Sequence, residues 1–538
     1  MTRVAAAQLA AGTDVADNLA ACLRMIDAAA SVGAELVVLP EFCNHLSWYA
    51  DRAHAHRMAC TAGDFFLTAI AERAARHAML VKIGVTMARP DGRTTGTGLL
   101  FGPGGALLGE SDKQILMGAE NDHLDPGSAD SPVVTTRLGR IGMYACMEGV
   151  IPEVARSLAA RGAQLLLNSL NSFAIDEASL HIPVRAAENK VWVVAANKVG
   201  PLLPEDLLPT VAERLGVPAD RLYGAGESQI VAPDGTVLAK APATGEAIVV
   251  TDVDLTLADD KHRPDGTDLF RARRPELYRP LAHPARRRAP AGAESVSAAV
   301  VAPDAEAVRT AVAAGARLIA LPELAAVPVP DVVAALRDSD AHAVLTVRDR
   351  DRHTGLLLAA DGIVGRQDQL HRTERHPWLH EVGSELAVFT LPWGRLAIVV
   401  GDDALFPETF RLAAIADADV AVVCHTPAEP WEQALGLPER SAENRLNVVA
   451  AGLGPTGEST GAIHALSPDF TLWTQWRGPF TGVISHPVTT VVPPGTTCVQ
   501  ADIRPAEAVN RAVSRGTDLL ADRPPAALAN LIRELELR

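Results

Sequence analysis

Three side chains that together suit covalent attack on a carbon–nitrogen bond stand far apart in this sequence. Glu41 ends the apolar run 36–40, Lys113 follows a hairpin predicted around 102–105, and Cys146 ends a run of apolar and small residues. In such a set the carboxylate takes the thiol proton, the ammonium stabilises an oxyanion, and the thiolate forms an acyl intermediate. The residue types therefore predict nucleophilic catalysis, provided that the three strand ends meet.

Cys146 lies where a predicted strand passes into a helix that begins near Pro152. A sharp turn there would expose the thiol, and neighbouring N–H groups and a helix N-terminus would favour a thiolate. The alternative is that Cys146 is an inert core residue, as unpaired cysteines often are. For Lys113 the alternative is a solvated surface lysine, and for Glu120, seven residues later, an ordinary loop acid.

The order of five short motifs resembles that of the nitrilase superfamily of carbon–nitrogen hydrolases, over nearly all of residues 3–280. These motifs are Leu39-Pro40-Glu41-Phe42, Asp112-Lys113, Tyr144-Ala145-Cys146-Met147-Glu148 with Pro152-Glu153, Arg185-Ala186-Ala187-Glu188-Asn189, and Arg274-Pro275-Glu276-Leu277-Tyr278. The resemblance implies a catalytic triad of Glu41, Lys113 and Cys146, with Glu120 as a second active-site glutamate. It also implies an αββα sandwich and no metal or organic cofactor.

Three further residues are predicted to bind substrate. Trp48 belongs to the aromatic-rich loop 42–49 directly after the proposed base, and such loops line pockets or simply pack. Asn171 belongs to a polar segment directly after a predicted strand, at the same end of the sheet as Cys146. Met147 offers its backbone N–H to the oxyanion. By contrast, Arg185, Glu188 and Asn189 are predicted to be mainly structural, because Arg185 and Glu188 have the spacing of an ion pair on a helix.

Composition narrows the class of protein. The 538 residues are 48% hydrophobic and 21% charged, with a net charge of −16, which argues against a nucleic-acid-binding protein. The six cysteines are too scattered for a disulfide framework or a cysteine metal site. We see no apolar run long enough to span a bilayer and no signal core, so the cytoplasm is the expected location.

The second half of the chain repeats the first without its chemistry. Leu321-Pro322-Glu323-Leu324 matches the segment around Glu41, and residues 365–383 match 109–127 without a gap. In this alignment Gln369 replaces Lys113, His376 replaces Glu120 and Gly401 replaces Cys146. Glycine has no nucleophile and glutamine has no ammonium, so the second repeat is predicted to be catalytically silent.

We therefore expect an α/β chain with a catalytic domain at 1–282, a proline-rich linker at 283–294 and a degenerate domain at 295–538. The two αββα domains are expected to pair as an internal pseudo-dimer, and whole chains could associate further; a separate sensor domain is the alternative. An insertion at 201–223 could be a lid or an interface piece.

The sequence predicts hydrolysis of a small amide or carbamoyl compound through a thioester. Nitriles are the alternative substrates, because they require the same triad. A catalytically silent binding or scaffold protein is the alternative from another class.

Overall fold

The computed structural model describes residues 1–284, 288–454, 457–471 and 476–534. The chain forms two compact units, and neither is one continuous segment. Unit 1 contains Met1–Asp260, Asp469–Ile484 and Ala512–Arg538, and unit 2 contains Lys261–Pro468 and Ser485–Arg511.

Unit 1 is built on two six-stranded mixed sheets. The strands of the first sheet, in spatial order, are Ala247–Val253, Thr2–Gln8, Leu36–Val38, Leu80–Ala88, Thr94–Phe101 and Leu107–Asp112. Those of the second are Val237–Lys240, Gln229–Val231, Trp192–Ala196, Leu165–Ser169, Arg140–Ala145 and Val133–Thr135. The central pairs of each sheet are parallel and the outer pairs antiparallel.

In the sequence, the helices of unit 1 come between its strands, and the last helix follows them. The α-helices are Val15–Ser31, Arg52–Met58, Phe65–His77, Glu120–His123, Met147–Val150, Glu153–Ala160, Ile182–Asn189, Leu208–Leu215 and Pro525–Leu531. A π-helical turn, Glu177–His181, precedes Ile182–Asn189, and 3₁₀ turns occupy Ala219–Leu222 and Leu255–Asp259. Side-chain caps begin several helices; for example, the Asp14 carboxylate accepts hydrogen bonds from the N–H groups of Ala16 and Asp17.

The first strand shows why the layers form. Side chains alternate across a strand, so Val4 and Ala6 face the second sheet, in one apolar cluster with Ile141 and Leu165. Ala5 and Ala7 face the other way, in a cluster with residues of the helices Val15–Ser31 and Phe65–His77. Both faces of the strand are apolar because both are covered. This arrangement produces the predicted αββα sandwich.

Two segments from the second half of the sequence complete unit 1. Phe480, Ile484, Val513 and Leu519 belong to the same buried apolar cluster as Leu208 of the insertion. The units therefore differ from the predicted domains of 1–282 and 295–538, because burial of these side chains holds the late segments in unit 1. The repeat boundaries themselves stay a prediction.

Unit 2 has the same architecture. Its first sheet contains Gly362–Asp368, Arg352–Ala359, His342–Asp349, Leu318–Ala320, Val296–Val301 and Cys498–Ile503. Its second contains Val388–Leu391, Gly394–Val400, Val420–Cys424, Asn447–Leu453, Ser459–Ala465 and Val488–Val491. An aliphatic cluster drawn from both sheets fills the space between them. The prediction of two αββα sandwiches is confirmed.

The helices of unit 2 likewise come between its strands in the sequence. The α-helices are Ala305–Ala313, Val329–Ala335, Pro407–Ile415 and Leu437–Asn444, with a π-helical turn at Glu432–Gly436. Short 3₁₀ turns occupy Pro275–Leu277, Arg279–Ala282, Gly401–Leu405 and Pro505–Val509. In the part of the chain that the structure describes, every helix is too short or too polar to cross a bilayer. The predicted linker, 283–294, falls partly outside the described residues.

Candidate active site

The three residues predicted to do chemistry meet inside unit 1. Glu41 follows the strand Leu36–Val38, Lys113 directly follows Leu107–Asp112, and Cys146 directly follows Arg140–Ala145. All three are buried, with exposed fractions of 2% for Glu41, 1% for Lys113 and 3% for Cys146. Glu41 pairs with Lys113, and both interact electrostatically with Cys146, so the strand ends bring a carboxylate, an amine and a thiol to one buried place.

Lys113 lies between two carboxylates. Its Nζ is 2.9 Å from Glu41 Oε1, and it donates hydrogen bonds to Glu120 Oε1 and Oε2 at 3.0 and 2.9 Å. Burial opposes the charged amine, but the carboxylates of Glu120 and Glu41 outweigh it and raise the pKa of Lys113 well above its usual value. The residue is therefore a fixed ammonium, which is the form that an oxyanion requires.

Glu41 has the properties of a general base. Burial raises its pKa above the usual glutamate range, although nearby Lys113 opposes the shift. Glu41 Oε1 forms an ion pair with Lys113, and neither oxygen of Glu41 accepts a hydrogen bond from another described group. A basic carboxylate with open lone pairs can take a proton from a thiol or a water molecule.

The backbone at Cys146 is held in an uncommon conformation. Its φ is +48°, in a region that residues with a side chain seldom adopt. Its N–H points to two acceptors, Asn168 Oδ1 and Ser169 O, both at 3.1 Å. Such strain persists only where the surroundings enforce it, and it is typical of functional turns.

Glu148 supports this turn, and the sequence analysis gave it no role. One of its oxygens accepts the N–H of Gln114 at 2.7 Å and the other accepts the N–H of Ala145 at 2.8 Å. The carboxylate thus ties the residue after Lys113 to the residue before Cys146. Its position within the motif around Cys146 was a signal that could have identified it.

The thiol differs from the sequence-based expectation in one respect. The turn was expected to favour a thiolate, but burial raises the pKa of Cys146 well above its usual value, and Lys113 only partly opposes this. The helix that follows, Met147–Val150, spans only four residues. Cys146 therefore rests as a neutral thiol, which makes the neighbouring base necessary.

A cavity of about 100 Å³ opens beside Glu120. Trp48 and Asn171, both predicted to bind substrate, line it. Asn171 Nδ2 donates to Ser47 Oγ at 2.7 Å, while the buried Asn171 Oδ1 accepts no hydrogen bond from a described group. The side chain of Met147 instead lies in the apolar cluster that contains Leu208. Its N–H begins a helix and thus has no acceptor within that helix.

The insertion at 201–223 forms one wall of this cavity. Five of its apolar residues line it: Leu202, Leu203, Val211, Leu215 and Leu222. The remaining walls include Trp48 and Phe173. The cavity is therefore mainly apolar, with polar side chains from Ser47, Glu120 and Asn171, and the insertion supplies part of its wall.

Arg185 is structural, in line with the sequence analysis. Its Nε donates to the carbonyl of Gly149 at 2.7 Å, and its Nη1 pairs with Glu188. Both partners are fully buried. The pair fixes the chain just after Cys146 without lining the cavity.

The corresponding place in unit 2 is closed to the same chemistry. Gly401 has a φ of +52°, matching the backbone of Cys146. A Cβ atom added there would lie 2.7 Å from Gln369 Oε1 and 2.9 Å from Glu323 Oε1. Gly401 supplies no nucleophile and Gln369 no ammonium, so this place lacks two groups of the triad, and the silence of the second repeat stays a prediction.

Comparisons with known proteins give the family of the chain. The profile of the carbon-nitrogen hydrolase family matches residues 3–263. The chain is 30% identical over 291 residues to omega-amidase NIT2 of Homo sapiens. This alignment covers 51% of this chain and 96% of the relative. It is 28% identical to a nitrilase of Pyrococcus abyssi, over 48% of this chain and 92% of the relative.

Two further relatives have similar coverage. The chain is 26% identical to an N-carbamoylputrescine amidase of Arabidopsis thaliana, over 52% of this chain and 94% of the relative. Among solved structures, an amidase from Nesterenkonia sp. AN1 matches 52% of this chain and 99% of its own, with 22% identity and a TM-score of 0.42. The chain belongs to the carbon–nitrogen hydrolase family, in the nitrilase superfamily, and it is a hydrolase acting on amide-type compounds.

Proposed function

We propose that this protein hydrolyses a small linear amide or carbamoyl compound through a thioester on Cys146. The observation that carries the proposal is the meeting of Glu41, Lys113 and Cys146 in one buried place. Members of the family hydrolyse carbon–nitrogen bonds, and we assign the steps of this reaction to the residues of the site.

In the first half of the reaction Glu41 takes the proton of the Cys146 thiol, and Sγ attacks the carbonyl carbon of the substrate. The charge that develops on oxygen is stabilised by Lys113 Nζ and the N–H of Met147. The carbon–nitrogen bond breaks as Glu41 passes its proton to the leaving nitrogen. Glu120 acts through Lys113 by holding the ammonium in place.

In the second half a water molecule replaces the leaving amine. Glu41 takes a proton from the water as it attacks the thioester carbon, and Lys113 again stabilises the oxyanion. The carbon–sulfur bond then breaks, the acid leaves, and Cys146 regains its proton.

The cavity supports a substrate with a short apolar substituent. Its walls are mostly aliphatic and aromatic, and its volume of about 100 Å³ suits a small group. Asn171 Oδ1, which lacks a described donor, can accept a hydrogen bond from a substrate N–H. Relatives named as amidases favour amides, whereas the relative named as a nitrilase keeps nitriles as the alternative.

Ammonia release from a panel of compounds tests this function. The panel contains aliphatic amides of increasing chain length, the matching nitriles, and carbamoyl compounds. We expect the highest kcat/KM for short apolar amides. Higher kcat/KM for the nitriles would favour the alternative substrate class, and no turnover of any compound would favour a silent scaffold.

Changing Leu215 to alanine should shift the preference toward longer substrates. The removed carbon atoms widen the cavity by more than one methylene, and one methylene in an apolar pocket is worth tenfold or more in specificity. We expect kcat/KM for a longer amide, relative to acetamide, to rise about tenfold. Val217→Ala is the matched control, since Val217 belongs to the same apolar cluster but does not line the cavity. An equal effect in both variants would contradict the assignment of Leu215.

The pH dependence of kcat/KM should report Glu41. The free enzyme needs Glu41 as a carboxylate, so activity falls as pH drops through its pKa. Because burial raises this pKa, we expect the acid limb to have its midpoint above the ordinary value of 4.5. Circular dichroism at each pH controls for acid unfolding. A profile that stays flat down to pH 4.5 in folded protein would remove Glu41 as the base.

Three expectations remain predictions of the sequence analysis. They are the pairing of the two repeats, further association of whole chains, and a cytoplasmic location. Size-exclusion chromatography with light scattering tests the association of chains.

A further inference from the structure

Unit 2 holds three side chains with metal-binding atoms at the place that corresponds to the active site. Glu323 follows the strand Leu318–Ala320, His353 lies in Arg352–Ala359, and His376 lies in the loop beyond residue 368. One ligand atom from each lies within 4.8 Å of the other two. Glu323 is 3% exposed and His353 is fully buried, so the group is not a chance surface cluster.

The residues around this glutamate differ between the two repeats. Gln369 replaces the ammonium of Lys113 with a neutral amide, and His376 replaces Glu120 with an imidazole. His353 takes the place of Gly96, as the backbone shows: Gly96 O accepts the N–H of Lys113 at 2.7 Å, and His353 O accepts that of Gln369 at 2.8 Å. The ammonium of Lys113 and the carboxylate of Glu120 are lost, two imidazoles are gained, and Glu323 keeps the carboxylate of Glu41 and pairs with Arg375.

Glu323 divides its two oxygens between different partners. Oε2 accepts hydrogen bonds from Arg375 and from the N–H of Thr426, the latter at 2.8 Å. Oε1 lies 3.3 Å from His376 Nε2 and 3.9 Å from His353 Nδ1. Arg375 does not leave an excess positive charge here, because its Nη1 also pairs with Asp402 at 2.9 Å. Oε1 of Glu323 thus lies near both imidazole rings.

His353 has its tautomer set by its neighbour. Gln369 Nε2 donates to the carbonyl of His371 at 2.7 Å, so Gln369 Oε1 is the atom that faces His353 Nδ1, also at 2.7 Å. Nδ1 therefore carries the proton and donates it, which leaves a lone pair on Nε2. This nitrogen is buried and has no hydrogen-bond partner among the described residues. An imidazole held by an outer acceptor, with its other nitrogen open, has the form of a metal ligand.

We propose that Glu323 Oε1, His353 Nε2 and a ring nitrogen of His376 bind a divalent transition-metal ion of the zinc class. Imidazole nitrogen and carboxylate oxygen are ligands that Zn²⁺ and Co²⁺ accept, and three protein ligands leave a position for water. The ion would connect one strand and two loops of unit 2. It would stabilise this unit and take no part in the reaction at Cys146.

Metal titration of the full-length Cys146→Ala variant tests the site, because this variant removes the active-site thiol as a competing ligand. We expect one Zn²⁺ or Co²⁺ per chain by calorimetry, a visible absorption band with Co²⁺, and a rise in Tm on adding metal. These readouts do not involve turnover, so they stand or fall separately from the proposed function.

Second substitutions in the same variant identify the ligands. His376→Ala and Glu323→Gln should each weaken Zn²⁺ binding at least a hundredfold, and Gln369→Leu, which removes the acceptor behind His353, about tenfold to a hundredfold. His380→Ala is the matched control, because His380 is an exposed histidine of the same loop. Failure to bind an ion, or equal affinity in the His376 and His380 variants, would show that the cluster is only an ion pair.

Discussion

Replacing Cys146 with alanine is expected to lower kcat at least about a thousandfold, to the limit of detection for ammonia release. The variant loses the sulfur atom that forms the thioester. A water molecule at that place is a much weaker nucleophile than a thiolate. The fold should survive, because the substitution removes one sulfur atom and keeps the backbone of the turn. Thermal unfolding measured beside kcat checks this, with a Tm close to that of the unchanged protein.

Cys498→Ala is the matched control, since Cys498 is a partly exposed thiol in unit 2. It should leave kcat unchanged. Mass spectrometry after rapid quenching adds a direct measurement, in which the acyl group is found on the peptide of Cys146 and is absent from the alanine variant. Turnover within tenfold of the unchanged protein in Cys146→Ala would end the covalent mechanism.

Changing Lys113 to glutamine should lower kcat about a hundredfold to a thousandfold, the effect of losing one oxyanion donor. The substitution copies what the chain itself carries at Gln369. It also removes the cation between Glu41 and Glu120, whose carboxylates both lie about 3 Å from Nζ. Without it Glu41 keeps the repulsion from Glu120 and loses the opposing ammonium, so the pKa of Glu41 rises further.

Two measurements separate these effects. Steady-state kinetics gives the loss in kcat, and the acid limb of kcat/KM should move to higher pH in the variant. Lys240→Gln serves as the control, because Lys240 is a half-exposed lysine that pairs with Glu227 at the surface. A variant at Lys113 that keeps kcat within tenfold would show that the ammonium is not the oxyanion donor.

The fold and the triad could be predicted because their signals are local. Each of Glu41, Lys113 and Cys146 follows a strand, and the short motifs around these residues resemble those of a family whose triad groups the three. The ionisation of Cys146 could not be predicted in the same way. Burial by residues distant in sequence raises its pKa, whereas the adjacent helix from which a thiolate was inferred has only four residues.

The role of other residues depends on contacts that have no local signal. His353 aligns with no catalytic residue, because its counterpart is Gly96, and only the hydrogen bond to Gln369 shows their proximity. The insertion at 201–223 was recognised, but its place against the cavity is a long-range contact.

The ends of the two repeats show the same limitation. The segments that contain Thr267 and Thr517 have matching sequences, yet Thr267 belongs to unit 2 and Thr517 to unit 1. In unit 1 the Thr517 hydroxyl donates to the carbonyl of Leu116 at 2.6 Å, and Arg515 donates to the carboxylate of Asp122. These contacts lie next to Glu120, so the last part of the chain supports the residue that holds Lys113.

Unit 1 therefore has consequences for how the protein is made. Its residues 469–484 and 512–534 leave the ribosome only after the whole of Lys261–Pro468 has been translated. At roughly 5–20 residues per second, Met1–Asp260 waits tens of seconds for its final pieces. During that time the apolar side chains that will contact Phe480 and Leu519 have no cover, which makes the nascent chain a client for chaperones.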